Sequence, residues 1–260
     1  MHPLLIKVGS IPIHTYGFCI AIGFLTAVAV IRMLARRSNL DVDKIMDITF
    51  WGMVVGLIGS RFLFILTQLD HFIANPMDTV KIWQGGLVFL GGPVAVVPFA
   101  YWYLKKHKLP FWKIADVLIP GLVIAHAFGR VGCVFSGCCY GKPTGTDFGL
   151  KFYSELVDPT LRGVFLHPTQ IYESTSLLLI FVGLLFIFKK KVFDGQVILT
   201  YFIVYPVVRS VIEEFRGDLI RGFVIEGVLS TSQFISLVFF VSAVVLILRR
   251  IKTIKTKVVT

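Results

Sequence analysis

Charge is scarce in this 260-residue chain, and negative charge scarcest: 15 Asp and Glu stand against 26 Lys and Arg, and only 16% of residues are charged. Water-soluble domains carry about 25% charged and about 45–50% apolar residues. Here 56% are hydrophobic and the mean hydropathy is +0.81, which excludes an ordinary soluble globule and points to a membrane protein. A formal net charge of +11 raises nucleic acid or an anionic surface as partner. The basic residues lie in short clusters between apolar runs, so the bilayer is the expected partner and nucleic acid is not. Cysteine is also sparse. Four residues make no disulfide scaffold: Cys133, Cys138 and Cys139 crowd one segment, and Cys19 stands alone in an apolar run. Cys-x4-Cys-Cys lacks the paired spacing of a zinc site, so neither metal nor cofactor is expected, and the three read as small residues packed near a helix end.

Other absences narrow the architecture. No basic stretch immediately precedes the first apolar run, and Arg36-Arg37 follow it, so it does not read as a cleaved signal peptide. No internal repeat is visible. A membrane helix needs about 20 mostly apolar residues, and seven such spans can be read, at 16–36, 46–68, 85–104, 113–131, 172–188, 196–213 and 229–249. The expected fold is therefore an all-α polytopic bundle of seven transmembrane helices forming a single domain, 1–260. Fifteen basic residues fall on one side of these spans: Arg36, Arg37 and Lys44; Lys105, Lys106, Lys108 and Lys113; Lys189, Lys190 and Lys191; Arg249, Arg250, Lys252, Lys255 and Lys257. By the positive-inside rule the N-terminus is outside and the C-terminus cytoplasmic. Trp83 then falls at the outer boundary, and Trp51, Trp102 and Trp112 near the inner one, as interfacial anchors do. The one long loop, about 132–171, faces outside, and its GKPTGTDFG stretch reads as turns.

Ionisable groups inside apolar spans are costly and are functional candidates by default. Arg61, His126, Arg130, Arg209, Glu213 and Glu173 qualify, and in this topology they share one depth beneath the outer surface. His126 and Arg130 are spaced i, i+4. Tyr205, Arg209 and Glu213 continue at i, i+4, i+8, with Arg216 seven residues after Arg209, so they share a stripe. A buried Arg–Glu pair holding helices together is the plainer account of that stripe. Three arginines with few acids beside them instead favour an anionic ligand, and phosphate suits guanidinium forks. Gly85, Gly86, Gly91 and Gly92, in GGLVFLGG, would let a backbone approach such a ligand; small-residue helix packing explains them equally well. Phospholipid headgroups are the obvious supply of phosphate at that depth.

Several ordered motifs carry a resemblance: HTYG (14–17), GSR (59–61), WQGGLVFLGG (83–92), GRVGCVFSGCCYG (129–141), HPTQIYE (167–173) and YPVVRSVIEEFRGD (205–218). Along nearly its whole length the chain resembles the bacterial prolipoprotein diacylglyceryl transferases. The resemblance implies a cytoplasmic (inner) membrane enzyme that moves diacylglycerol from phosphatidylglycerol to the lipobox cysteine of a preprolipoprotein signal peptide, forming a thioether and releasing glycerol phosphate. It implies that Arg130 and Arg209 are essential, that Tyr16, Glu173, Tyr205 and Glu213 occupy further functional positions, and that Gly141 closes the signature. Arg61, the four glycines, His126 and Arg216 join Tyr16 and Gly141 as expected substrate-binding residues. Three positions depart from the family pattern. Leu90 stands where histidine is usual, Cys133 where asparagine is common, and Cys138 where an acidic residue is found. An anion or lipid transporter and an inactive phospholipid-binding paralogue are the alternatives.

The implied reaction is substitution at a glycerol carbon by a thiol whose ordinary pKa lies near 8.5. Negative charge builds on the leaving phosphate, where fixed guanidinium donors in a water-poor site are most effective. Arg130 and Arg209 are the expected phosphate holders, with Glu213 orienting Arg209. Tyr205 and Glu173 are expected to position the headgroup or to relay the proton. His126 is more naturally a packing residue than the base.

Overall fold

The computed structural model describes residues 4–8, 11–81, 85–217, 223–225 and 229–259. Trp83, the expected outer anchor, and Asp218 and Arg221 lie outside the described residues. The described chain is mostly helical. Its principal helices are α1 (Thr15–Arg37), α2 (Val42–Thr67), α3 (Leu69–Ala74), α4 (Gly91–Lys106), α5 (Phe111–Ser136), α6 (Thr169–Lys190), α7 (Gln196–Glu214) and α8 (Thr231–Val259). Three two-stranded antiparallel ladders accompany them: β1 (Leu4–Val8) with β2 (Ile11–His14), β3 (Leu150–Lys151) with β4 (Phe165–Leu166), and β5 (Phe223–Ile225) with β6 (Leu229–Ser230). Among the described residues, six helices of 19 to 26 residues are long and apolar enough to cross a membrane: α1, α2, α5, α6, α7 and α8 through Lys252. At 1.5 Å rise per residue they span about 29–39 Å, enough for a hydrocarbon core of about 30 Å. Large apolar side chains on these helices are exposed, among them Leu25, Ile58, Leu122, Leu179 and Leu248, as suits a lipid-facing surface.

The expected third span differs in shape. Only Gly91–Lys106 is helical, 16 residues, and the chain from Gly85 to Leu90 is not. Gly85 and Gly86 sit at φ +88° and +77°, values a side chain resists, so a helix cannot begin there. α5 differs in the other direction, running five residues beyond 131 before Gly137, at φ +72°, ends it by donating to the Cys133 and Val134 carbonyls.

The chain divides into two compact units. The smaller comprises residues 32–114, with α2, α3, a 3₁₀ turn at Pro76–Val80 and α4. Here α2 and α4 pack closely through small residues. A Cβ on Gly92 would sit 3.1 Å from Ser60 Oγ, and one on Gly91 would overlap the Gly59 backbone. Gly91 and Gly92 thus let α2 and α4 approach closely.

The larger unit comprises residues 1–31 and 115–260. The first part of α1 lies against α5 where glycines make room: a Cβ on Gly23 would come 2.8 Å from Phe128 Cβ, and one on Gly121 2.5 Å from Ile31 Cγ1. Val117, Val123, Leu177, Leu184 and Val197 form fully or almost fully buried parts of this core. At one end, Asp116 is wholly buried and accepts four hydrogen bonds: Val197 N at 2.9 Å and Ile198 N at 3.1 Å on Oδ1, Gly195 N at 2.8 Å and Lys191 Nζ at 2.9 Å on Oδ2. α7 has no side-chain cap of its own, so an α5 carboxylate supplies the missing acceptors for its first turn. The loop after α5 holds its own small core of Tyr140, Phe152, Val157 and Leu166.

Candidate active site

The site in the larger unit is built around one carboxylate. Glu173 lies in the second turn of α6, 2% exposed. That turn is anchored by Ser174 Oγ, which donates to the Ala127 carbonyl of α5 at 3.1 Å. Glu173 Oε2 meets Arg130 Nε at 3.2 Å. Its Oε1 accepts from Tyr205 Oη at 2.8 Å and lies 3.9 Å from Arg209 Nε and 3.7 Å from His126 Nε2. Arg209 is in turn paired with Glu213 at 2.5 Å, one helical turn on. Three helices, α5, α6 and α7, thus converge on a single acid.

The expectation that these residues meet is realised for Arg130, Arg209, Tyr205, Glu173, Glu213 and His126. The expectation of much unbalanced positive charge needs correction. Arg130 and Arg209 are answered by Glu173 and Glu213 in a site too buried for unpaired charge. The details leave room for a ligand nonetheless. Arg130 meets Glu173 and His126 side-on, through Nε, and among the described residues no hydrogen bond is recorded from its two terminal nitrogens. Those two nitrogens are the fork that matches a phosphate.

His126 Nε2 accepts from Arg130 Nε at 3.3 Å. A nitrogen used as an acceptor in this way is unprotonated, which puts the ring's hydrogen on Nδ1. The same lone pair would be needed to take up a substrate proton. His126 also meets Tyr205 edge-to-face, at 5.6 Å between centroids, and Tyr201 stacks on Tyr205 at 5.2 Å. These rings hold the Tyr205 hydroxyl on Glu173.

Arg216 and Gly141 form a second layer. Both are buried, and their backbones pair as an isolated bridge. Gly141 N donates to the His167 carbonyl at 2.9 Å, Lys142 N to Phe215 O at 2.8 Å. A Cβ on Gly141 would lie 2.5 Å from His167 Cβ and 2.6 Å from the carbonyls of His167 and Phe215, so no other residue fits. Gly141 thereby ties the segment after α5 to the start of α6 and the end of α7. Tyr16, in the first turn of α1, packs on Gly132 of α5 and lies within electrostatic reach of Arg130, Cys133 and Cys138.

Arg61 belongs to the smaller unit, and its donors go to the chain itself. Nε donates to Thr79 O at 3.1 Å, Nη1 to Gly85 O at 2.8 Å and Gly86 O at 2.9 Å, and Nη2 to Asp78 O at 2.5 Å. The rings of Phe64 and Phe72 lie 5.4 and 5.3 Å from the guanidinium carbon. Arg61 therefore organises the loop between α3 and α4 rather than offering a fork to a ligand. Gly85 and Gly86 are its acceptors, and their glycine character follows from positive φ. Leu90 stands half-exposed just before α4.

Two features escaped the sequence. Asp116 is an acid within an apolar run and should have been found by the rule that selected Glu173. It stands three residues after Lys113, at the polar edge of the apolar run. The spacing of the three clustered cysteines suggests packing residues, and the fold brings all their sulfurs within 4.8 Å of one another. The signal was the Gly137 that ends α5 between Cys133 and Cys138 and turns the chain back.

The model of the family described as prolipoprotein diacylglyceryl transferase matches residues 3–249. A protein of Clostridium tetani named phosphatidylglycerol–prolipoprotein diacylglyceryl transferase is 36% identical over 237 residues, covering 91% of this chain and 93% of that one. One of the same name from Oceanobacillus iheyensis is 32% identical over 258 residues, covering 97% and 89%. A Clostridium perfringens protein named as the second such transferase is 30% identical over 246 residues, covering 95% and 94%.

Proposed function

We propose, for a chain that belongs to the prolipoprotein diacylglyceryl transferase family, that the cluster around Glu173 is the centre where diacylglycerol passes from phosphatidylglycerol to a prolipoprotein cysteine. The chain is a multi-pass membrane transferase of lipoprotein maturation. In the reaction the glycerol carbon–oxygen bond to phosphate breaks and a carbon–sulfur bond forms. The thiol gives up its proton, and glycerol phosphate leaves with the bonding electron pair.

The observation that supports this placement is the shared carboxylate. Glu173 fixes Arg130 through Nε and so leaves the terminal fork for two phosphate oxygens. Arg209, held by Glu213, adds a second cation beside the same acid. Donors positioned beforehand stabilise the charge growing on the leaving phosphate without reorganising at the moment of reaction. The thiol proton is directed to Glu173, the carboxylate at the centre of the cluster, with Tyr205 Oη as the adjoining link. Tyr16, Gly141 and Arg216 shape the headgroup pocket, Gly141 and Arg216 by joining the three surrounding segments.

The membrane is the bacterial cytoplasmic membrane, with seven spans, the N-terminus outside and the site toward the outer leaflet. The α4 helix serves as the third span together with the loop before it. Supporting this orientation are the fifteen basic residues clustered on the opposite side. The signal peptide of the prolipoprotein presents its lipobox cysteine from that same leaflet. The decisive experiment incubates the purified chain in phosphatidylglycerol vesicles, labelled in the acyl chains, with a lipobox peptide. Label must appear on the peptide as a thioether and glycerol phosphate must be released in equal amount. Absence of both, with the lipid still bound, would make this a phospholipid-binding protein without turnover.

A further inference from the structure

We propose that Cys133, Cys138 and Cys139 form a three-thiolate site for a thiophilic d¹⁰ cation, zinc or monovalent copper. Their Sγ atoms all lie within 4.8 Å of one another. Around a zinc ion with Zn–S bonds of about 2.3 Å, tetrahedral sulfurs stand roughly 3.8 Å apart, so the cluster needs a contraction of about 1 Å and no change of fold. Soft sulfur donors select such ions over magnesium or calcium.

The backbone is arranged for this convergence. α5 carries Cys133 in its last turn and stops at Gly137, and Cys138 N returns to the Cys133 carbonyl at 3.3 Å. Cys139 then occupies the left-handed region at φ +61°, unusual for a residue with a Cβ and costing about 1–2 kcal/mol. The turn is pinned from α6, where Gln170 Nε2 donates to Cys138 O and Thr169 Oγ1 to Cys139 O, each at 2.7 Å. Cys133 is buried and the other two are half-buried, so the site excludes most water yet stays reachable.

Charge is consistent with a metal as well. Three thiolates alone would repel one another, but Arg130 lies within electrostatic reach of all three and Arg216 of Cys139. Its three ligands are none of the groups assigned to the phosphate or the proton, although Arg130 adjoins both sites.

The test uses the reduced full-length chain in detergent, titrated separately with Zn²⁺ and with Cu⁺ and read by native mass spectrometry. One ion per chain is expected. Co²⁺ in its place should give a thiolate-to-metal charge-transfer band. In the unmodified protein the ion should protect three of the four cysteines from alkylation and leave the rate at Cys19 unchanged, a readout that requires no variant to fold. Cys133→Ser, Cys138→Ser and Cys139→Ser should each weaken binding about a hundredfold or more, since loss even of a group supporting a ligand costs 10–100-fold. Cys19→Ser should bind as wild type does. The proposal is overturned if neither ion protects the thiols. It is equally overturned if a triple serine variant binds as tightly, or if two of the three cysteines are isolated as a disulfide that neither ion prevents.

Discussion

Replacing Glu173 with glutamine separates the role of its charge from that of its shape. The amide occupies the same volume and can still accept from Tyr205 through Oε1, so packing around α6 should survive. The carboxylate's charge does not. At 3.2 Å from Arg130 Nε and 3.9 Å from Arg209 Nε, the lost attractions amount to about 5 and 4 kcal/mol gross at an effective dielectric constant near 20. Desolvation cancels much of this, and breaking a buried pair by removing one partner costs about 3–5 kcal/mol net. The new amide nitrogen also points a donor at a guanidinium that needs an acceptor. Arg130 should therefore leave its side-on position, and its fork should no longer meet the phosphate. Loss of one transition-state donor typically costs about 10²–10³ in kcat, and we expect at least that for Glu173→Gln. The assay is transfer to a lipobox peptide at saturating phosphatidylglycerol, beside the thermal midpoint and the amount of folded protein. Tyr205→Phe removes one hydrogen bond to a charged group, worth about 1.5–3 kcal/mol, so it should fall between wild type and Glu173→Gln. A glutamine variant with full kcat, or a phenylalanine variant more damaged than the glutamine one, would refute a site organised by Glu173.

Arg130→Lys keeps the charge but has neither a side-on Nε nor a fork, so kcat should fall about 10²-fold or more while protein level holds; normal turnover would make Arg130 merely structural. Gly141→Ala forces a methyl between the His167 and Phe215 carbonyls, and should cost about 1–3 kcal/mol of stability together with activity, checked by thermal unfolding and the transfer assay. Asp116→Asn turns an amide toward Gly195 N and Lys191; stability should drop by about 3 kcal/mol with KM for lipid unchanged in whatever remains folded, and an unaltered melting curve would contradict the capping role. For topology, with the native cysteines replaced, Thr146→Cys should react with an impermeant thiol reagent in intact cells and Lys190→Cys should not; the reverse pattern would invert the orientation.

The helices were legible because an apolar run of 20 residues has few other uses. Their ends were less so, since termination depends on backbone conformation rather than on hydropathy. α5 runs past Arg130 and through Gly132 because its backbone turns to positive φ only at Gly137, and α4 starts late because Gly85 and Gly86 take positive φ. The short ladders were invisible for a related reason. β3 and β4 are two residues each, too brief for an alternating pattern, and they owe their pairing to the small core of Phe152, Val157 and Leu166.

At the site, spacing identified partners along one helix but not between helices. The pairs His126–Arg130 and Arg209–Glu213 follow from i, i+4 geometry, and both are realised. That Glu173 joins them could not be read, because helix-to-helix register is set by packing such as Ser174 on Ala127. Arg61 shows the same limit from the other direction: as an arginine in an apolar run it resembled Arg130, but backbone carbonyls distant in sequence satisfy it. Cost alone therefore does not mark an intramembrane arginine as functional. What distinguishes Arg130 is how it is paired. A guanidinium bonded to backbone carbonyls through all three of its nitrogens is a strut, whereas in the proposed site one held through Nε by a carboxylate is fixed in place and can turn its fork to a phosphate. The same logic bears on the proton. Leu90 can accept none, and the lone pair of His126 is engaged by Arg130. The groups left at the centre are Glu173 and the hydroxyl hydrogen-bonded to it, which is why the comparison of Glu173→Gln with Tyr205→Phe, rather than any histidine substitution, tests where the thiol's proton goes.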